Sequence, residues 1–276
     1  MAHRALVLVL GTLAAGVFGL MLAQKPFVEY PGQWSGFPLP PDWNEKHEWV
    51  FGRLRYNSFG GGGGAARGGG FRGRGRRASW GTDYPRGDRY LVMGLKRMTR
   101  IDARSVEQVI DLDGSDDIYN WPFLYAVEVG HWSLDEREAA QLRDYLLRGG
   151  FLMVDDFHGS YEWEVFTESM RRVFPDRPIL DLPDDHQIFH VLHDLNEKIQ
   201  VPGNQFLYSG RTYEQDGYEA VWRGIVDDKG RVMVAICANM DLGDAIERSD
   251  EPEYPEKFSA LAHRIVANYA VYSLTH

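Results

Sequence analysis

The sequence predicts an α/β domain with a mostly parallel, doubly wound sheet and helices on both faces. Continuous apolar runs such as Phe151 to Val154 and Arg231 to Ala238 have the composition of strands covered on both sides. Segments with apolar residues at helical spacing alternate with them, which is the order that βα units require. Thr82 to His276 leaves 195 residues, enough for one sizeable core and hardly enough for two.

The first 23 residues stand apart. His3 and Arg4 precede Ala5 to Ala23, nineteen residues without a charge, and this predicts an N-terminal hydrophobic helix. The pattern fits a secretory signal peptide, and its length also approaches the ~20 apolar residues that span a bilayer. Export to the periplasm, or anchorage to the cytoplasmic membrane with the domain outside, follows from either reading. Residues 24–48, rich in proline, glycine and aromatics, are expected to form an extended arm, and 49–276 the α/β domain.

Along that domain, Trp49 to Tyr56 alternates as a strand should. Ten glycines between positions 60 and 75 then predict a disordered loop over 59–81. Asp88 is placed to cap a helix running to about Met98, and Glu107 to Leu112 and Phe123 to Val129 read as strands. Ser133 to Glu136 matches a capping box, opening a helix that stops at Gly149-Gly150. After the Phe151 strand, Ser160 is placed to cap a helix that Pro175 ends. Residues between Ile179 and Asp228 read as an antiparallel excursion. Arg231 to Ala238 forms a further strand, and Pro255 opens a closing helix.

The formal charge is -10, yet the tract from Gly60 to Ser79 holds five arginines and no acid, leaving -15 on the rest. An acidic body repels phosphate and argues against nucleic acid as a partner. Cys237 is the only cysteine, so no internal disulfide forms, and its apolar neighbours make it a small buried hydrophobe. The chain has no G-x-S-x-G elbow, no Walker loop, no G-x-G-x-x-G between strand and helix and no H-E-x-x-H.

Ligands of open α/β sheets gather outside the carboxyl ends of the strands. Three predicted strands end in polar groups there: Glu128 and His131; Asp155, Asp156 and His158; and Asn239, Asp241 and Asp244. If the strands run parallel, these groups share one rim and could bind a ligand. Asp155, Asp156, His158 and Asp241 could hold a divalent cation; no organic cofactor is called for. Each also has a structural reading: Asp155 or Asp156 as a helix cap, Asn239 and Asp241 as turn formers. Tyr119, Trp121 and Trp132 are candidates for exposed aromatic contacts with a small molecule, glycan or peptide. The acidic loop from Asp111 to Asp117 lacks the glycine position and closing glutamate of a calcium loop, and His186, His190 and His193 read as a half-buried turn.

Val127 to Trp132 (VEVGHW), Leu147 to Gly159 (LRGGFLMVDDFHG) and Asn239 to Asp244 (NMDLGD) resemble the bacterial family called domain of unknown function 4159. Arg53 to Tyr56 (RLRY) and Tyr119 to Pro122 (YNWP) fit it too, and the resemblance covers roughly Trp49 to His276 outside the glycine tract. It implies a flavodoxin-like fold similar to class I glutamine amidotransferases, export or membrane anchorage, and envelope partners linked to MoxR-type ATPases and aerotolerance-type systems. It brings no enzymatic activity. Amidotransferases carry a cysteine on a sharp strand-to-helix turn, where this sequence has Asp155-Asp156, so a glutaminase is not expected. The expected function is therefore an exported, non-catalytic binding or scaffolding module of the cell envelope, with a metal-assisted hydrolase as the rival reading.

Overall fold

The computed structural model describes residues 24–34, 36–58 and 79–276. The expected N-terminal helix and all but the last three residues of the expected 59–81 loop lie outside the described residues. Those last three, Ser79–Gly81, form a 3-10 turn whose Trp80 is buried, so this end of the stretch is structured. Among the described residues no helix is long and apolar enough to cross a membrane.

The main sheet has seven strands: β1 (Gly52–Arg55), β3 (Gln108–Asp111), β4 (Phe123–Val127), β6 (Phe151–Asp155), β7 (Leu180–Asp181), β8 (Arg223–Val226) and β9 (Val232–Cys237). Their spatial order is β3-β1-β4-β6-β9-β8-β7, and β2 (Asn57–Ser58) pairs separately with β5 (Trp132–Ser133). The first five in that order run parallel, while β8 and β7 turn back antiparallel, which is the excursion expected between Ile179 and Asp228. Among the described residues six α-helices accompany the sheet: α1 (Arg86–Met98), α2 (Glu136–Leu147), α3 (Gly159–Val173), α4 (Gln205–Ser209), α5 (Leu242–Glu247) and α6 (Glu256–Thr275).

Alternation along the strands divides the core in two. Phe51, Phe123, Tyr125, Phe151, Met153 and Ala235 face one way, packed with apolar residues of α1, α5 and α6. Leu54, Leu124, Leu152, Val154, Val234 and Ile236 face the other, against α2 and α3. Helices therefore cover both faces. On the first face Phe51 and Phe151 flank Phe123 with ring centroids 5.8 Å and 5.5 Å away, each a large apolar group whose burial stabilises by roughly 1.5–3 kcal/mol. A Cβ at Gly52 would lie 2.6 Å from the Phe123 carbonyl oxygen, so β1 can approach β4 only through glycine.

Several local expectations shift. The capping box opens α2 at Asp135, which accepts from the Arg137 and Glu138 amides while Glu138 reaches back, not at Ser133. Ser133 is held in β5 by its pairing with Asn57. Asp88 lies in the first turn of α1, where it caps nothing and forms a buried ion pair with Arg53. Ser160 lies inside α3. The acidic loop is neutralised by neighbours: Asp111 accepts from Arg55 at 2.6 Å and Asp113 from Lys25 at 2.6 Å. His186 accepts the Ile188 amide and His190 sits between Asp194 and the Asp184 carbonyl, while the His193 backbone is held by Asn268. Residues 24–34 and 36–48 run over the domain without helix or strand, Tyr30 donating its amide to the Tyr84 hydroxyl and Phe37 accepting from Arg89.

Arg53 also lies over the Tyr125 ring, 4.7 Å from its centroid, and its Nε donates to Asp88 at 3.1 Å. Burial pulls this guanidinium down, but the charge and hydrogen bonds of Asp88, with Tyr125 and Asp83 nearby, together hold it above its usual value. Removing one partner of such a pair leaves an uncompensated buried charge. Asp88→Ala should therefore lower the free energy of urea unfolding by about 3–5 kcal/mol, whereas the double change Arg53→Met, Asp88→Leu should cost far less. Equal losses in both would show that the pair's geometry, not its charge balance, holds α1 to the sheet.

Candidate functional site

The three polar strand ends belong to neighbours. β4 pairs in parallel with β6, and β6 with β9, so their carboxyl ends share one rim. Each strand exits through a non-glycine residue in the left-handed region: Glu128 (φ 50), Asp156 (φ 54) and Asn239 (φ 59). Such backbone costs ~1–3 kcal/mol where nothing local favours it, and it gathers at functional sites. Asn and Asp tolerate it better than Glu does.

Asp155 ends β6, fully buried. Its Oδ2 accepts from the Tyr125 hydroxyl at 3.0 Å and from the Leu242 and Gly243 amides at 2.8 and 3.0 Å. Burial pushes its pKa up to about 7, against the pull of those donors. The cap expected of it exists, but on α5, which begins far along the chain. Asp241 caps the same helix, accepting the Asp244 amide at 2.8 Å, and burial and the Asp156 charge raise its pKa. Asp244 in turn accepts from Arg248 Nε at 2.8 Å.

Asp156 points elsewhere. Its Oδ1 lies 3.1 Å from His158 Nε2, and its pKa is raised by burial and then by the Glu128 charge. His158 is buried, donates its amide to Glu162 Oε2 at 2.6 Å, and leaves Nδ1 without a partner among the described residues. Glu162 Oε1 also lies 3.4 Å from His131 Nε2 and accepts from Gln215. Glu128 accepts from Thr82 at 3.1 Å. Asn239 Oδ1 accepts the Gly159 amide at 2.9 Å, and its Nδ2 donates to the Glu219 carbonyl at 2.7 Å. The rim thus gathers Glu128, His131, Asp155, Asp156, His158, Asn239, Asp241 and Asp244 from three strand ends and the segments that follow them.

The aromatic candidates do not join them. Tyr119 and Trp121 precede β4 and lie toward its amino end; Tyr119 donates to Asp144, and Trp121, at 3% exposure, donates to Asp117. Trp132 is wholly buried, stacked on Phe166. Sequence reasoning read Trp121 and Trp132 as exposed because both sit in polar surroundings along the chain, whereas the core reaches them from other elements.

Four residues at this rim escaped the sequence reading: Asp83, Glu162, Gln205 and Glu247. Asp83 was hidden by the preceding glycine tract. Glu247 follows Asp244 at i+3 on one helical turn, a spacing that places both on one face and was a usable signal. Glu162 stands four residues after His158, and no pattern marked it or Gln205. A Cβ at Gly203 would lie 2.2 Å from Asp241 Oδ2, 2.9 Å from Gln205 Oε1 and 3.0 Å from Asp244 Oδ2, so three oxygens converge beside that glycine.

Fold and rim together define an α/β protein with a carboxylate-rich rim at the carboxyl edge of its parallel strands. The chain belongs to the family described as Domain of unknown function (DUF4159), which matches residues 51–274. No curated protein matches the chain.

Asp156 is crowded by the like charges of Glu128, Asp155, Glu214 and Asp244, with the His158 ring in contact with its Oδ1. Because its folded pKa is raised, Asp156 costs nothing below its unfolded value, where it is neutral in both states, and stability falls as pH rises from there through the folded value. Asp156→Asn should therefore gain on the order of 1 kcal/mol in urea unfolding at pH 8, and nothing at a pH near 4. A loss of stability at both pH values would mean that the Asp156–His158 contact outweighs the repulsion.

Proposed function

We propose that this chain is a non-catalytic binding module of the cell envelope, exported or held at the cytoplasmic membrane by its N-terminal apolar segment, and that its ligand sits at the carboxyl rim. The observation that carries this reading is how the candidate catalytic acids are spent. Asp155 gives one oxygen to three donors and Asp241 caps α5, so two of the four residues suited to a catalytic cation serve the fold. What stays partly exposed is rich in acceptors: Glu128 and Asp156 favour a ligand with hydroxyl or amine donors.

Aromatic rings beside the rim support a glycan of the envelope as that ligand. The Ser160 amide donates to Asp216, and a Cβ on Gly217 would press on the Asn239 side chain, so the segments bearing Tyr161 and Tyr218 close on Asn239. Tyr161 is 68% and Tyr218 65% exposed, and Tyr213 packs on Tyr218 with centroids 4.8 Å apart. Exposed rings beside acceptors suit the apolar and hydroxyl faces of a sugar.

The finer fold assignment belongs to the same proposal. Taken in chain order, the five parallel strands lie second, first, third, fourth, fifth across the sheet. That is the flavodoxin-like order, whose ligands bind outside the carboxyl ends of the strands. We read the fold as similar to class I glutamine amidotransferases, with Asp156 on the strained strand-to-helix turn where those enzymes place a cysteine. The partners expected on this reading are envelope proteins linked to MoxR-type ATPases.

Retention of the purified chain on cell-wall sacculi tests the proposal. Tyr161→Ala with Tyr218→Ala should weaken retention at least tenfold while leaving the unfolding midpoint unchanged, since both rings are exposed. Turnover of simple phosphoesters that disappears in Asp156→Ala would instead favour the metal-assisted hydrolase and sink the non-catalytic reading.

A further inference from the structure

Asp83, Asp244 and Glu247 bring one carboxylate oxygen each to within 4.8 Å of the others, and all three residues are buried. They come from two distant parts of the chain: Asp83 follows the Ser79–Gly81 turn, while Asp244 and Glu247 share one turn of α5. Glu247 is 0% and Asp83 2% exposed. Both oxygens of Glu247 and Oδ2 of Asp83 have no hydrogen-bond partner among the described residues. Burying such oxygens unpaired is expensive, and burying them as anions is more so, unless a cation meets them.

The cations at hand do not close that balance. Arg53 is committed to Asp88, and Arg248 donates to Asp244 Oδ1 while standing 3.9 Å from Glu247 Oε1. The Trp34 indole stands near Glu247, but its Nε1 and both Glu247 oxygens remain without a hydrogen-bond partner among the described residues. Asp244 Oδ2 accepts the Asn204 amide, which leaves that oxygen a further lone pair. The amide of Gln205 is also buried, and neither of its polar atoms has a partner among the described residues. Its oxygen flanks Asp244 beside Gly203, as a neutral fourth ligand would. The backbone makes way for the group as well: a Cβ on Gly243 would lie 2.5 Å from Asp83 Oδ2.

We propose that Asp83, Asp244 and Glu247 bind a hard divalent cation of the calcium class. Oxygens around Ca2+ at 2.3–2.6 Å stand at most about 5 Å apart, which accommodates the observed spread without movement. Oxygen-only ligands exclude the softer metals that prefer thiolate or imidazole. The ion joins two parts of the chain far apart in sequence, clasping the segment that follows Ser79–Gly81 onto α5. This site is distinct from the Asp155, Asp156, His158 and Asp241 set, and it is independent of the ligand at the rim.

The test uses the full chain stripped of metal with a chelator and titrated with Ca2+ or Mg2+ alone, followed by calorimetry and by thermal unfolding. Binding of Ca2+ that raises the unfolding midpoint is expected, with at least tenfold weaker binding in both Asp83→Asn and Glu247→Gln. Because these neutral replacements relieve repulsion, both should fold at least as well as the metal-free parent. Terbium emission excited through nearby tryptophan gives a second readout, expected in the parent and at least tenfold dimmer in the two variants. No heat and no midpoint shift with either ion, or a shift that survives in both variants, overturns the proposal.

Discussion

The carboxylate of Asp155 is the contact on which the working edge of this molecule depends. It stands at the end of the central strand β6 and ties the hydroxyl of Tyr125, from β4, to the first amides of α5, which follows β9. One buried oxygen thereby joins the exits of three adjacent strands. Charge-assisted hydrogen bonds of this kind contribute roughly 1.5–3 kcal/mol each, and a helix start as short as that of α5 has little stability of its own. With α5 fixed, Asp244 and Glu247 are fixed with it, and Asp156, the next residue, is forced to leave the strand through the left-handed region.

Helix starts around the rim obey the same logic. The amides opening α3 are met by Asn239 and Asp216, not by a residue just before the helix, and those opening α5 by Asp155. This explains which parts of the fold were legible in the sequence. Phe151 to Asp155 and Val232 to Cys237 are apolar throughout because both faces are covered, and α2 announces itself through a local capping box at Asp135. Local signals sufficed there. Ser160 and Asp88 misled because their apparent capping roles were filled from elsewhere or displaced by a stronger partner, as Arg53 displaces a cap for Asp88. The strand ends were legible as polar clusters, and parallel pairing brings them to one edge. Asp83 was not, because it is a single acid whose partners lie at the far end of the domain sequence, whereas Glu247 carried only its i+3 spacing from Asp244.

That distribution has a consequence for the charge of the rim. Capping alone does not require acids. Asn239 occupies the same kind of left-handed exit as Asp156, accepts the Gly159 amide and donates to the Glu219 carbonyl, all without a charge. An amide at 155 could likewise accept from backbone donors. Yet the chain places Asp83, Asp155, Asp156, Asp241, Asp244 and Glu247 within reach of one another's fields, and burial raises the pKa of every one of them. Neutral side chains would serve the fold better at each position where the acid only repels its neighbours. The surplus charge is therefore a feature that stability does not select, and perturbed acids collected at one edge of the sheet are what the proposed site requires to meet something positive or rich in donors.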